Sequence, residues 1–336
     1  MKININLLII LVVFSAFSCC KKPWVEPEII KPKRDIYTLS GLPDATTVWK
    51  NGEVFIQREA RSFAGDNYYM FVENNDVYTS NPRGEIWKNN QNIFNINLDI
   101  ESTIRSIFVS KGDVYSVGQC SAGIAVYKNS DTLYIIPSGV YDGVRITYVN
   151  AGFIYVNGTD VYIAGSEFIT APFPLPRIII WKNGIEHFSF STQDYPRINA
   201  MCGVGEDIYL AAINANTYEV EVLKNRQYLF SVGTNAGANS ISVDGNNVYV
   251  AGTGTSPYRP LKNAVVWKNG DVLYNNLDVE ETKHSEANSV VAIDSDVYVS
   301  GYCEADKRYL CTWKNGKLLY KYEGYSSSGA NKLFVK

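Results

Sequence analysis

The sequence predicts an all-β fold, a seven-bladed β-propeller with four-stranded blades, on three observations. A short pattern, apolar–aromatic–Lys–Asn–Gly, recurs seven times: Val48 to Gly52, Ile86 to Asn90, Val126 to Ser130, Ile180 to Gly184, Val222 to Arg226 (with Leu223 at the aromatic position), Val266 to Gly270 and Thr312 to Gly316. A second pattern precedes every copy, beginning at Asp35, Asp76, Asp113, Asp160, Asp207, Asn247 and Asp296, and reads DVYIAG from Asp160 and NVYVAG from Asn247. Trp49 and Trp313 lie 264 residues apart over six intervals, a mean of 44, which is the length of one propeller blade. The third observation is a strand count one short at the start of the repeats and one over at their end.

The copy from Ser240 shows how each repeat divides. Ser240 to Val243 alternates as a strand, and Asp244-Gly245-Asn246 turns the chain into the second strand, Val248 to Ala251. Ala264 to Lys268 is the third strand. Its nearly continuous apolar run suits a strand covered on both faces by neighbouring blades. Asn269-Gly270 is a two-residue hairpin signal, because such turns need positive φ at both central positions, and Asp271 to Tyr274 is the fourth strand. First strands recur near Tyr69 to Glu73, Ser106 to Ser110, Phe153 to Asn157, Ala200 to Val204, Ser240 to Val243 and Ser289 to Ile293, six in all. The first blade starts directly at its second strand, Ile36. The missing strand stands at the far end, where Ala330 to Val335 matches Ala238 to Val243. The C-terminal strand is therefore expected to pair into blade one and close the ring, removing an exposed sheet edge.

The N-terminus reads as a targeting segment. Lys2 is followed by a run from Leu7 to Cys20 that is apolar or small throughout, too short to span a bilayer but suited to a signal peptide. The division is 1–18 signal peptide, 19–34 lipidated cysteine and tether, and 35–336 propeller. Ala16-Phe17-Ser18-Cys19 resembles the lipobox of bacterial lipoproteins, with Phe17 departing from the usual small residue; the resemblance implies acylation of Cys19, and Cys20 is the competing acceptor. Three prolines among Lys21 to Lys33 make a semi-extended tether. The repeats lack the marks of the WD40 and kelch families. They resemble those of Bacteroidetes-type propeller lipoproteins that carry VYVAG and VWKNG motifs. That resemblance spans residues 35–336 and implies a fold and a compartment, namely a lipid anchor in the bacterial envelope, most simply in the outer membrane and facing either periplasm or surface. It implies no activity.

Apolar residues make up 46% of the chain, which sustains a large core, and the net charge of −3 without a basic block argues against a nucleic-acid partner. No catalytic or metal motif is present: His187 and His284 fall in different blades, and Gly118 to Gly123 misses a nucleophile elbow by one residue. No catalytic residue, metal or cofactor is expected, and the chain is expected to be a monomer. The repeated Asp reads as a turn residue bonding its own backbone, and the repeated Trp as core between blades. Cys303 and Cys311, on the second and third strands of blade seven, are a candidate disulfide in an oxidising compartment, while Cys120 and Cys202 read as free, buried thiols.

Long connections at Gly165 to Arg177 and Gly252 to Asn263, with the segments joining blades, should gather Phe168, Phe173, Arg177, Tyr195, Arg197, Tyr258 and Arg259 on one face. Rigid aromatics beside arginines are what a binding surface needs. Just before the first strands stand Tyr68, Arg105, Gly152, Asn199, Asn239, Asn288 and Asn331, which either satisfy strand-entry backbone groups or line the channel mouth. The functional expectation is a non-catalytic binding module for a glycan, peptide or envelope protein. The alternative is a polysaccharide lyase or glycoside hydrolase at the channel mouth, for which Asp142, Glu167 and Asp194 are candidate carboxylates.

Overall fold

A computed structural model describes residues 34–41, 45–59, 69–98, 102–141, 144–169, 175–191, 197–214, 216–234, 236–256, 259–275, 277, 284–323 and 332–336. Residues 1–18 and Cys19 lie outside this set. Residues 34–336 form one compact unit, and its described residues make seven antiparallel sheets arranged as a seven-bladed β-propeller. In each blade the inner strand borders the central channel, and the second, third and outer strands follow outward. Six blades have four strands, and blade four has a fifth, Gly139–Tyr141, paired beside its long inner strand Val144–Asn157.

Ring closure is as the repeats foretell. Lys332–Val335 pairs antiparallel with Ile36–Gly41, placing Leu333 opposite Thr38 and Val335 opposite Ile36. Asp35 and Lys336 exchange two backbone hydrogen bonds, of 2.8 and 2.9 Å. Leu333 is buried with Ile36 of blade one and Tyr298 of blade seven, so the final strand seals the seam between them.

The recurring motif residues form one staple per blade. The motif Asn occupies the left-handed region in all seven blades, with φ between 49° and 59°. Asn tolerates that conformation, and in six blades its amide donates to the motif Asp at 2.7–3.1 Å. Its carbonyl oxygen accepts from the backbone N–H of the next motif residue, as from Ile36 to Asn51 at 2.9 Å. The motif Lys ion-pairs with the same Asp at 2.7–3.1 Å. Its ammonium also lies 5.2–5.6 Å from the ring centre of the motif Tyr in each of the seven blades. The Asp thus ties the third strand to the second, and its local-turn reading is corrected. Asn247 replaces Asp in blade six and accepts from Asn269 at 3.1 Å, so the amide bond survives where the ion pair does not.

The glycines record close approaches. A Cβ on Gly316 (φ +79°) would lie 2.8 Å from the Tyr274 ring, an outer-strand aromatic of the preceding blade. The Gly of the second-strand motif answers a β-bulge in the inner strand: at Gly252 a Cβ would fall 1.6 Å from the Gly237 carbonyl oxygen. Trp181, Trp267 and Trp313 are buried as expected. Trp49 and Trp87 are half-buried, with Tyr322 of blade seven 4.6 Å from Trp49 and the Arg58 guanidinium of blade one 4.5 Å from Trp87.

Cys303 and Cys311 are buried thiols rather than a disulfide. Cys311 pairs with Gly301 and Cys303 with Tyr309, so the two stand diagonally across the ladder, not opposite one another. Hydrogen bonding with Cys303, and then burial, push the Cys311 thiol far above its ordinary pKa. Cys120 and Cys202 are unbridged, as expected, but half-buried rather than buried.

Candidate functional site

The inner strands enclose a central cavity of about 730 Å³, lined by residues of all seven. The shared register sorts the lining into levels. Tyr69, Ser106, Phe153, Ala200, Ser240, Ser289 and Lys332 occupy one level, each opposite the fourth residue of a neighbouring second strand counted from the motif Val or Ile. Two residues further on come Phe71, Phe108, Tyr155, Cys202, Ser242, Val291 and Phe334. Just before the first level, the inner strands of blades three to seven bulge at Arg105, Gly152, Asn199, Asn239 and Asn288. A bulge frees one residue from the ladder and re-aims its side chain.

The bulge asparagines serve the ring. Asn199 donates to the Ala238 carbonyl at 3.1 Å and Asn239 to the Ala287 carbonyl at 3.0 Å, each bridging to the next blade. Of the two sequence readings for this position, backbone satisfaction therefore holds for these two. Arg105 differs: it lines the cavity, and its Nε is buried with no hydrogen-bond partner.

Serines on the first two levels also knit the ring. Ser240 and Ser242 accept from the N–H groups of Val290 and Ala292, and Ser289 accepts from Leu333 N–H at 3.3 Å. Blades one to four carry other chemistry here. Phe334, Phe71, Phe108 and Tyr155 form an arc, with successive ring centres 5.0, 4.5 and 5.5 Å apart. Above the arc stand Lys332, Tyr69 and Arg105 from blades one, two and three. Protein surrounds Lys332 although the channel still reaches it, and this desolvation lowers its pKa. Burial pushes the Tyr69 phenol up to about 12, against the opposing effect of nearby Arg105. Cys202 is pushed up to about 11 by burial and stays a thiol at neutral pH. No Asp, Glu or His is among the described lining residues.

The remaining sequence candidates separate. Arg197 is exposed beside a small cleft between blades four and five and bonds Asn199 at 3.4 Å. Arg177 is not poised at the mouth, because it ion-pairs with Glu186 of the outer strand at 3.2 Å. Phe173, Tyr195, Tyr258, Asp142 and Asp194 lie outside the described residues, and of Phe168, Glu167 and Arg259 only strand positions are described. The two long connections are largely hairpin extensions, since second and third strands run Asp160–Ile169 and Leu175–Lys182 in blade four, and Asn247–Ser256 and Arg259–Lys268 in blade six.

Sequence reasoning missed a polar chain on blade seven. His284 Nε2 lies 3.0 Å from the Tyr302 hydroxyl, which donates to Glu286 at 3.1 Å, and Glu286 accepts from Asn239 at 2.9 Å. The Arg308 guanidinium sits 4.7 Å from the Tyr302 ring centre. His284 and Tyr302 are 18 residues apart and belong to no shared motif, and only strand pairing joins them. Among the described residues no cluster fits a metal ion, and no helix is long and apolar enough to cross a membrane.

Fold and site together define a closed seven-bladed propeller with a lined central cavity. No family model matches the chain, and no curated protein matches it. Two solved structures that do match are BBS1N, crystallised in complex with ARL6DN and soaked with lead, and the dihydro-heme d1 dehydrogenase NirN in complex with DHE. The first is 9% identical with a TM-score of 0.46, over 78% of this chain and 83% of that one. The second is 9% identical with a TM-score of 0.45, over 83% and 70%.

Proposed function

We propose that this protein is a lipid-anchored module of the bacterial cell envelope that binds a ligand in its central channel and does not transform it. The observation that carries this reading is the cavity of about 730 Å³, whose described lining offers cations, hydroxyls and an aromatic arc but no carboxylate or imidazole. The ligand is the exposed part of a glycan, peptide or envelope protein small enough to enter the channel. Acylation of Cys19 supplies the anchor. Palmitate labelling tests it: Cys19→Ala should abolish label and release the protein from membranes, and label persisting on the variant refutes Cys19 as acceptor.

The binding claim is tested by screening glycan and peptide panels against the detergent-purified full chain, with melting temperature and ligand integrity read together. Stabilisation with the ligand recovered intact is expected, and the Arg105→Gln variant should lose it. Cleavage of a panel member would sink the non-catalytic reading. A second reading, a lyase or hydrolase, is favoured by the His284–Tyr302–Glu286 chain, since such linked groups can move a proton. Tyr302→Phe would abolish any cleavage on that reading and leaves binding intact on the first.

A further inference from the structure

We propose that the channel ligand bears an anionic group, a carboxylate or a phosphate, seated among Lys332, Tyr69 and Arg105, with a flat or apolar body against the Phe334–Phe71–Phe108–Tyr155 arc. The inference deepens the binding reading and rests on it.

Register is the first support. Lys332 and Tyr69 hold the same level in adjacent blades, and Arg105 is the bulge residue one step before that level in the third. Three donors from consecutive blades thus converge on one side of the cavity. Serine holds the Lys332 level in blades six and seven and caps an N–H of the next inner strand. Lysine cannot repeat that bond, because an ammonium has donors and no acceptor. No described lining residue carries a carboxylate to neutralise Lys332 or Arg105.

Cost is the second support. Cations taken out of water lose solvation that only an opposite charge or acceptors restore. The Arg105 Nε is already buried without a partner, and the desolvated Lys332 is held short of its ordinary pKa. An anion entering here meets charge-assisted donors in a low-dielectric setting, where such bonds are strong. The asymmetry of the ring is the third support. Four consecutive blades, one to four, present aromatic rings at the arc level, whereas blades five to seven present Cys202, Ser242 and Val291. A planar body stacks on that arc with its charge towards the donors above it.

The test uses the full chain in detergent and calorimetric titration with phenyl phosphate, phenylacetate and the neutral phenylacetamide. The anions should bind and compete with each other, and phenylacetamide should bind at least about tenfold more weakly, as loss of charged hydrogen bonds implies. Lys332→Met and Arg105→Gln should each weaken anion binding about tenfold or more, while Lys317→Met, on an exposed outer strand, should not change it. A second readout needs no variant: acetylation of Lys332 in the wild-type protein, followed by mass spectrometry, should slow with phenyl phosphate and not with phenylacetamide. Should the neutral probe bind as tightly as the anions, indifferent to both substitutions, the anion inference falls and the binding reading stands. Should no probe bind, or should Lys332 acetylate at one rate throughout, the site assignment falls as well.

Discussion

Replacing Leu333 by Ala tests the step on which the channel depends, the sealing of the ring by the last strand. Leu333 is 3% exposed and packs with Ile36 of blade one and Tyr298 of blade seven. The substitution removes three buried carbons, about 2.4 kcal/mol at roughly 0.8 kcal/mol each, and the residual cavity brings the total to about 3 kcal/mol. The loss falls on a seam whose strand Lys332–Val335 is the shortest of the seven inner strands. The seam should therefore open locally before the rest of the ring. Native-state hydrogen exchange by mass spectrometry reads this directly. Amides in the Ile36–Leu39 and Leu333–Val335 pairing should exchange about a hundredfold faster, the equivalent of about 3 kcal/mol. Leu277→Ala is the control. That side chain is 2% exposed and packs with residues of blades six and seven, so its loss should speed exchange there and leave the closing strand alone. An increase of less than threefold at the seam in Leu333→Ala would refute the closure argument. Lys332 and Phe334 flank Leu333 and line the cavity, so a saturating channel ligand should restore much of the lost protection.

Other substitutions separate strain from contact. Gly112→Ala (φ +83°, open space around it) should cost about 1–2 kcal/mol in urea unfolding from backbone strain alone. Gly316→Ala should cost about 1–3 kcal/mol more, because its Cβ meets the Tyr274 ring, and Tyr274→Ala in the same chain should recover that excess. Asp76, Asp113, Asp160 and Asp207 are held below their ordinary pKa, mainly by hydrogen bonds from their motif lysines. Their contribution is complete above the unfolded value of 3.8 and is lost as pH falls through the lowered folded values. The partner lysines are raised, so their contribution is complete below 10.5 and is lost as pH climbs through the raised folded values. Urea midpoints should thus be flat near neutrality and fall at both extremes. Each step will be small because these pairs are partly exposed, and a midpoint that rises on acidification from pH 4 would contradict the staple. At pH 8 only about one in a thousand Cys202 side chains is a thiolate, so iodoacetamide should label it far more slowly than after unfolding.

The architecture was legible in the sequence because each blade repeats the same local problem. Every second strand needs its Asp or Asn, every third strand its Lys-Asn, and the solutions recur at readable intervals. Even closure could be read, since a missing strand at Asp35 and a surplus one at Lys332–Val335 admit one pairing. The signature residues proved to be the staple, and their recurrence marks them as structural. The candidate site is written where the repeat is broken: Arg105 where other blades bulge with Asn or Gly, Lys332 where blades six and seven place Ser, and Phe71, Phe108 and Phe334 where blade six places Ser242. Those departures are visible in the sequence one by one. Their convergence is not, because Lys332, Tyr69 and Arg105 come from opposite ends of the chain and meet only when the ring closes. The same holds for His284, Tyr302 and Glu286, which antiparallel pairing of two strands brings together, and for the diagonal placing of Cys303 and Cys311, decided by a register two residues away from direct opposition. Local chemistry determined the blades, whereas neighbourhood across the channel is a property of the closed ring.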